Sequence, residues 1–142
     1  MVRNVFLAAP LFCLSERQFN SVVAERLRQS GFKVWLAQEV GLFEHGSLEE
    51  KRKVFTGDLL ALESCDIVVA LLDGVDVDTG VAFELGYAHA LKKPLVGLKT
   101  DYRTFSRIEE VNLMLEVPLG RLCRSVDEVV EMLKKLEHSS GI

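Results

Sequence analysis

Short apolar segments rich in β-branched residues alternate along this chain with longer segments of helical periodicity. The clearest of them, residues 67–72 (IVVALL), is continuous and apolar, which is typical of a strand buried on both faces of a sheet. Residues 5–9 and 94–98 have the same character, and residues 32–37 predict a further strand. Strands that alternate with helices indicate a parallel sheet covered by helices on both sides.

Four segments between and after these strands predict helices. Residues 15–30 have apolar positions at three- and four-residue steps, with a capping box formed by Ser15 and Gln18 and a stop at Gly31. The other predicted helices are residues 47–64, with Ser47 and Glu50 at the start, residues 79–91, and a final helix after Ser125. Residues 41–46 predict a loop.

Residues 119–123 predict a fifth strand, after a polar connection at residues 100–117 with a helical turn near residues 108–114. Right-handed crossovers between parallel strands restrict the possible topologies. We therefore expect an α/β fold with a doubly wound, flavodoxin-like, five-stranded parallel sheet and helices on both faces. No linker or repeat is evident, which predicts one domain over residues 1–142. Ligands of such sheets bind beyond the carboxyl ends of the strands.

The charge and cysteine content argue against several classes of function. The formal net charge is −4 and no basic stripe occurs, so nucleic acid is not an expected partner. The three cysteines have neither CxxC spacing nor a paired pattern, which predicts no disulfide or zinc framework. Neither GxGxxG nor GxxxxGK[ST] occurs, which disfavours a dinucleotide cofactor and a P-loop. Without a signal-like start or a long apolar stretch, the chain is predicted to be cytoplasmic, away from membranes.

Three carboxylates are predicted to converge on the crevice beyond the third strand. Asp73 follows that strand, where it either stabilises a turn or faces the crevice. Asp78 either caps the next helix or faces a ligand. Glu84 has apolar neighbours that predict partial burial and a raised pKa, unless backbone donors satisfy it. Such carboxylates carry out glycosyl chemistry. A cation site formed with Asp76 is the alternative, although its spacing is irregular for calcium.

Four parts of the chain resemble the nucleoside 2-deoxyribosyltransferase family in their order and spacing. They are residues 5–12 (VFLAAPLF), residues 71–74 with 78–88 (LLDG and DTGVAFELGYA), residues 93–101 and residues 112–114. The resemblance covers most of the chain up to about residue 116. It implies an enzyme that moves 2-deoxyribose between nucleobases through a covalent deoxyribosyl-glutamate intermediate and uses no cofactor or metal.

The resemblance also implies roles for individual residues. Glu84 matches the nucleophile, and Asp73 matches the acid that protonates the leaving base and deprotonates the entering one. Asp78 matches a carboxylate that binds the 5′-hydroxyl side of the sugar, and Gly80 belongs to the same substrate-binding motif. Gln38 lies where the family often holds the base.

Asn112 and Met114 match residues that reach into the site of a neighbouring subunit. The expected partners are therefore deoxyribonucleosides, free nucleobases and further copies of this chain, in a homodimer or a higher homo-oligomer. The sequence departs from the family near the end of the first strand, where Leu7 or Ala8 stands in place of an aromatic residue.

Two alternatives remain open at this point. The first is a related hydrolase, a 2-deoxynucleoside 5′-monophosphate N-glycosidase, which the chain resembles at residues 80–86. Asp78 argues against it because its charge repels a phosphate dianion, and residues 10–14 contain no arginine. The second is a non-catalytic nucleotide-sensing module, against which the three retained carboxylates argue.

Overall fold

The sheet contains four parallel strands: β1 (Asn4–Ala8), β2 (Lys33–Leu36), β3 (Ile67–Leu71) and β4 (Leu95–Leu98). Their order in the computed structural model, which describes residues 3–41 and 46–139, is β2-β1-β3-β4. Val5 of β1 is in register with Val34 of β2 on one side and with Ile67 of β3 on the other. The predicted α/β fold with a parallel sheet is confirmed.

Six helices occur among the described residues: α1 (Leu14–Gln29), α2 (Ala37–Val40), α3 (Leu48–Ser64), α4 (Thr79–Ala90), α5 (Leu113–Leu119) and α6 (Val126–Ser139). Side chains of β1 alternate between two cores. Val5 and Leu7 pack with α1 and α6, whereas Phe6 and Ala8 pack with α3, α4 and α5. Helices therefore cover both faces of the sheet. The short helix α2 has no counterpart in the sequence prediction.

Side-chain caps explain where several helices begin. Ser47 and Ser125 precede α3 and α6 as predicted, and each hydroxyl accepts the N–H three residues further on at 3.2 Å. Helix α1 begins earlier than predicted, because Glu16 Oε1 accepts the N–H of Cys13 at 3.0 Å. The capping box predicted from Ser15 is therefore wrong.

Residues 119–123 do not form the predicted fifth strand. Leu119 ends α5 and is buried in the core, and Gly120 follows with a φ of +67°, a conformation that favours glycine. Only Cys123 then pairs with the sheet, through an isolated parallel bridge to Leu98. The prediction failed because Leu119 belongs to α5 and the chain turns at Gly120, which leaves too few extended residues for a strand. The described part of the chain has four strands, not five.

The central strands β1 and β3 determine where a ligand can bind. The chain leaves β1 toward α1 on one face of the sheet and leaves β3 toward α4 on the other. A crevice is expected at the carboxyl ends of strands that diverge in this way. Most of the loop predicted at residues 41–46 lies outside the described residues. Within the described ranges, every helix is too short or too polar to span a bilayer.

Candidate active site

A cavity of about 210 Å³ lies beyond the carboxyl end of β1, on the face of the sheet that α3 and α4 cover. Its wall contains three carboxylates: Asp58, Asp78 and Glu84. The other lining residues are mostly apolar: Phe6, Leu7, Ala9, Leu11, Phe12, Ala37, Gly41, Val54, Gly80 and Val81. No lysine, arginine or histidine is among these described lining residues, so the cavity is acidic.

Glu84 lies in the second turn of α4. The helix buries Val81, Leu85 and Ala88, and Glu84 lies at the edge of this buried side, where it lines the cavity. Burial, followed by the charges of Asp58 and then Asp78, raises the pKa of the Glu84 carboxyl to about 8. Glu84 is therefore a largely buried acid that keeps its proton near neutral pH.

Asp78 both caps α4 and lines the cavity. Its Oδ2 atom accepts the N–H of Gly80 at 3.0 Å and that of Val81 at 3.1 Å. The predicted capping role is thus confirmed, and it does not remove the carboxylate from the cavity. Gly80 belongs to the same wall, where an added Cβ would lie 3.1 Å from Asp78 Oδ2. The first turn of α4 therefore places a fixed negative charge beside the space in front of Glu84.

Asp58 is a site residue that the sequence analysis did not identify. It lies on α3, four residues after Val54, which lines the cavity, and four residues before Leu62, which is fully buried. Burial raises the pKa of Asp58, and the indole N–H of Trp35 acts in the opposite direction. Since residues four apart share a helix face, a carboxylate between Val54 and Leu62 was the signal that could have revealed it.

Asp73 does not lie with the other three carboxylates. It lines a second cavity of about 360 Å³ on the α1 side of the sheet, together with Pro10, Cys13, Ser15, Glu16, Phe19, Asn20, Leu71, Thr100 and Arg103. Asp73 Oδ1 accepts the backbone N–H groups of Thr100 at 2.6 Å and Asp101 at 3.1 Å, and Oδ2 accepts the Thr100 hydroxyl at 2.5 Å. These three hydrogen bonds give the Asp73 carboxylate a structural role between the two loops. Across the described ranges, no cluster of three histidine, cysteine or acidic side chains could hold a metal ion.

The remaining predicted site residues lie outside the cavity of their own chain. Gln38 binds α1, because Nε2 donates to the carbonyl of Arg17 at 2.9 Å and Oε1 accepts from Asn20 at 3.0 Å. Asn112 caps α5 by accepting the N–H of Met114 at 3.0 Å, and the Met114 side chain is 71% exposed. That Gln38 binds the nucleobase stays a prediction. That Asn112 and Met114 reach the site of a neighbouring subunit also stays a prediction.

The parallel α/β fold brings three carboxyl groups into one cavity, an arrangement suited to chemistry by paired carboxyl groups. The family model described as nucleoside 2-deoxyribosyltransferase matches residues 5–135. The chain belongs to this family.

Individual relatives agree with the family assignment. A nucleoside deoxyribosyltransferase from Limosilactobacillus fermentum is 40% identical over 70 residues, which cover 49% of this chain and 41%, less than half, of that relative. A solved 2-deoxyribosyltransferase from Bacillus psychrosaccharolyticus is 28% identical with a TM-score of 0.77, covering 89% of this chain and 90% of the other. A CMP N-glycosidase from Clostridium botulinum is 19% identical with a TM-score of 0.58, covering 93% and 99%, and this likeness concerns the fold alone.

Proposed function

We propose that this chain is a nucleoside 2-deoxyribosyltransferase, which moves 2-deoxyribose from one nucleobase to another. The observation that carries the proposal is the single cavity lined by Asp58, Asp78 and Glu84 in a member of this family. Two carboxyl groups that differ in environment can divide the work of nucleophile and acid. The wall around them is largely apolar and offers water few polar partners, which favours transfer over hydrolysis.

Glu84 is the nucleophile in this mechanism. Its ionised carboxylate attacks C1′ of the sugar, so that a C1′–O bond forms as the C1′–N bond to the base breaks. A 2-deoxy sugar lacks the electron-withdrawing 2′-hydroxyl, which makes its oxocarbenium-like transition state easier to reach. The negative charge of Asp78 stabilises the developing cation. The product is a covalent deoxyribosyl-Glu84 intermediate, which a second base attacks at C1′ to release Glu84.

Asp58 is the acid in this mechanism, in place of Asp73, which the resemblance indicated. A base leaves poorly as an anion, so a proton must reach one of its ring nitrogens as the bond breaks. Asp58 lines the same cavity as Glu84, and burial, which raises its pKa, keeps its carboxyl protonated closer to neutral pH. Asp73 lines the other cavity and is bound by Thr100. In the second half-reaction, the Asp58 carboxylate takes the proton that the incoming base loses.

The charges of the cavity favour an uncharged substrate. Three carboxylates line it, and none of the described lining residues carries a positive charge. A nucleoside 5′-monophosphate brings a dianion into this field and is repelled by Asp78 in particular. A neutral deoxyribonucleoside donates its 5′-hydroxyl to the same carboxylate instead. We therefore favour nucleosides over the monophosphate substrates of the related hydrolases.

The experiment that tests the proposal is base exchange. The wild-type chain is incubated with thymidine and free adenine, and deoxyadenosine is the expected product. Glu84→Gln is expected to abolish exchange, whereas the exposed Glu49→Gln on α3 serves as the matched control and keeps it. Mass spectrometry of wild type with donor alone should detect a deoxyribosyl adduct on Glu84. Substantial exchange by Glu84→Gln contradicts the assignment, and thymidine monophosphate cleavage without exchange supports the hydrolase.

The proposal includes an active site shared between subunits, as expected for Asn112 and Met114. Both lie on or before α5, outside their own cavity, and Met114 is largely exposed. If Met114 completes the site of a second copy, Met114→Glu and Glu84→Gln are each inactive alone. Mixing the two inactive variants then restores part of the exchange activity, because one of the two sites in a mixed dimer is intact. No recovery on mixing under conditions of subunit exchange contradicts a shared site.

A further inference from the structure

The indole N–H of Trp35 is buried and has no hydrogen-bond partner among the described residues. Buried polar groups are nearly always paired, so an unpaired donor of this kind calls for an explanation. Trp35 is also the only tryptophan of the chain. Its position beside the acid of the proposed mechanism provides the explanation.

Trp35 lies on the face of the sheet that α3 covers. It is in register with Phe6 of the neighbouring strand, and both side chains pack in the core beneath α3 and α4. Asp58 precedes the buried Leu62 by one helical turn, so its carboxyl group points from α3 toward the same face. The indole N–H lies close enough to oppose the effect of burial on the pKa of Asp58, although no hydrogen bond of normal geometry joins them.

We propose that Trp35 is a positioning residue whose indole N–H donates a hydrogen bond to Asp58 whenever Asp58 is ionised. This inference rests on the proposed function, in which Asp58 is a carboxylate after it has protonated the leaving base. A protonated carboxyl group can use its own O–H as a donor, whereas a carboxylate only accepts. The unpaired N–H is therefore ready for the charge that forms on Asp58, and it orients that carboxylate toward the incoming base.

None of the described side chains that line the cavity with Asp58 has an N–H group. The titratable groups that face it from α4 are Glu84 and Asp78, and both are acids that oppose its ionisation. Phe6, from β1, has no donor. Hydrogen bonds to charged groups are stronger than those between neutral groups. Trp35 consequently favours an ionised Asp58, the form that remains once the leaving base has taken its proton.

The first test is the pH profile of kcat/KM for Trp35→Phe, which keeps an aromatic ring and removes the N–H. Loss of one hydrogen bond to a carboxylate raises the pH at which Asp58 ionises by about one unit. The acidic limb of the profile should move to higher pH by that amount. The alkaline limb, which reports the loss of the last proton, should remain at the same pH. If Trp35 has only a structural role, Trp35→Phe lowers activity equally at every pH and shifts neither limb, and this outcome overturns the proposal.

The second test needs no catalysis. Because Trp35 is the only tryptophan, its fluorescence reports on its surroundings, and we expect its emission to change as Asp58 loses its proton in a pH titration. Asp58→Asn should abolish this transition. Asp66→Asn, which alters a carboxylate that follows α3 and precedes β3, should keep it. A transition that persists in Asp58→Asn, or none in wild type, contradicts the contact. If the emission change depends on Asp58 but no base exchange is detected, the contact between Trp35 and Asp58 is supported and only the proposed function is rejected.

Discussion

Both carboxylate oxygens of Asp73 are bound to Thr100: Oδ1 accepts its backbone N–H at 2.6 Å and Oδ2 accepts its hydroxyl at 2.5 Å. The loop after β3 is thereby attached to the loop after β4. A carboxylate held in this way stabilises the fold, whereas Asp58 lies in the cavity with Glu84. The two aspartates should therefore respond differently to the same substitution.

We expect Asp58→Asn to lose about 10²–10⁴-fold in turnover, the usual contribution of a general acid, with no loss of stability. Asp73→Asn should instead lower the free energy of unfolding by about 1–3 kcal/mol, because an amide cannot accept all three hydrogen bonds. Base-exchange rates and urea unfolding measured on both variants test the contrast. A fully active Asp58→Asn beside an inactive but stable Asp73→Asn returns the acid role to Asp73.

The raised pKa of Glu84 predicts that the protein loses stability as the pH rises. The ordinary value of 4.5 applies to the unfolded chain, and the folded value is about 8. Between these two pH values the unfolded state has lost the proton and the folded state still holds it, so ionisation favours unfolding. Glu84→Gln removes this effect and should stabilise the protein at pH 8 by up to about 5 kcal/mol. Urea unfolding at several pH values measures the difference, which should vanish near pH 4.5.

The proposed reaction needs one proton shared between two carboxyl groups, because in it Glu84 attacks as an anion and Asp58 acts as an acid. We therefore expect a bell-shaped pH profile of kcat/KM that falls above about pH 8, where the last proton leaves. The charge of Asp78 raises the pKa of Glu84, so Asp78→Asn should move this alkaline limb to lower pH. Asparagine also caps helices, which keeps α4 in place. An alkaline limb that does not move in Asp78→Asn contradicts the coupling.

Gly97 of β4 is a position where an added side chain would crowd the core. An added Cβ would lie 2.8 Å from Leu72 Cδ1 and 3.0 Å from Leu122 Cδ2. Gly97→Ala should therefore destabilise the protein by about 1–3 kcal/mol through overpacking. Gly57, inside α3, is the matched control, because nothing lies within 4 Å of its added Cβ. Gly57→Ala should stabilise by roughly 0.5–1 kcal/mol, and thermal unfolding of both variants measures the two effects.

The sequence was sufficient for the elements with strong local signals. Strand β3 was predicted because its buried residues are continuous and mostly β-branched. The starts of α3 and α6 were predicted because Ser47 and Ser125 can cap a helix with their hydroxyl groups. The strand predicted at residues 119–123 does not form, because an apolar residue such as Leu119 suits the end of a helix as well as the start of a strand. Which of the two forms depends on packing against β4, and that packing is not visible in a sequence window.

The candidate site was predicted only in part, for a physical reason. Parallel sheets bind ligands beyond the carboxyl ends of their strands, so residues that follow strands were the expected site residues. Glu84 and Asp78 satisfy that rule through α4 and line the cavity. Asp58 does not follow a strand, because it reaches the cavity from the middle of α3. Asp73 follows one, but successive residues of an extended chain point to opposite faces of the sheet, and its face is that of α1.

The double use of Asp78, as helix cap and as cavity wall, restricts how this pocket can be re-engineered. Only asparagine, serine, threonine and, less well, glycine can replace aspartate at the start of a helix at small cost. If the cavity binds the substrate as proposed, wider changes of preference are better sought on the loop that carries Leu11 and Phe12, which line the cavity and belong to neither core cluster. Saturation libraries aimed at new acceptor bases are best directed to those two positions.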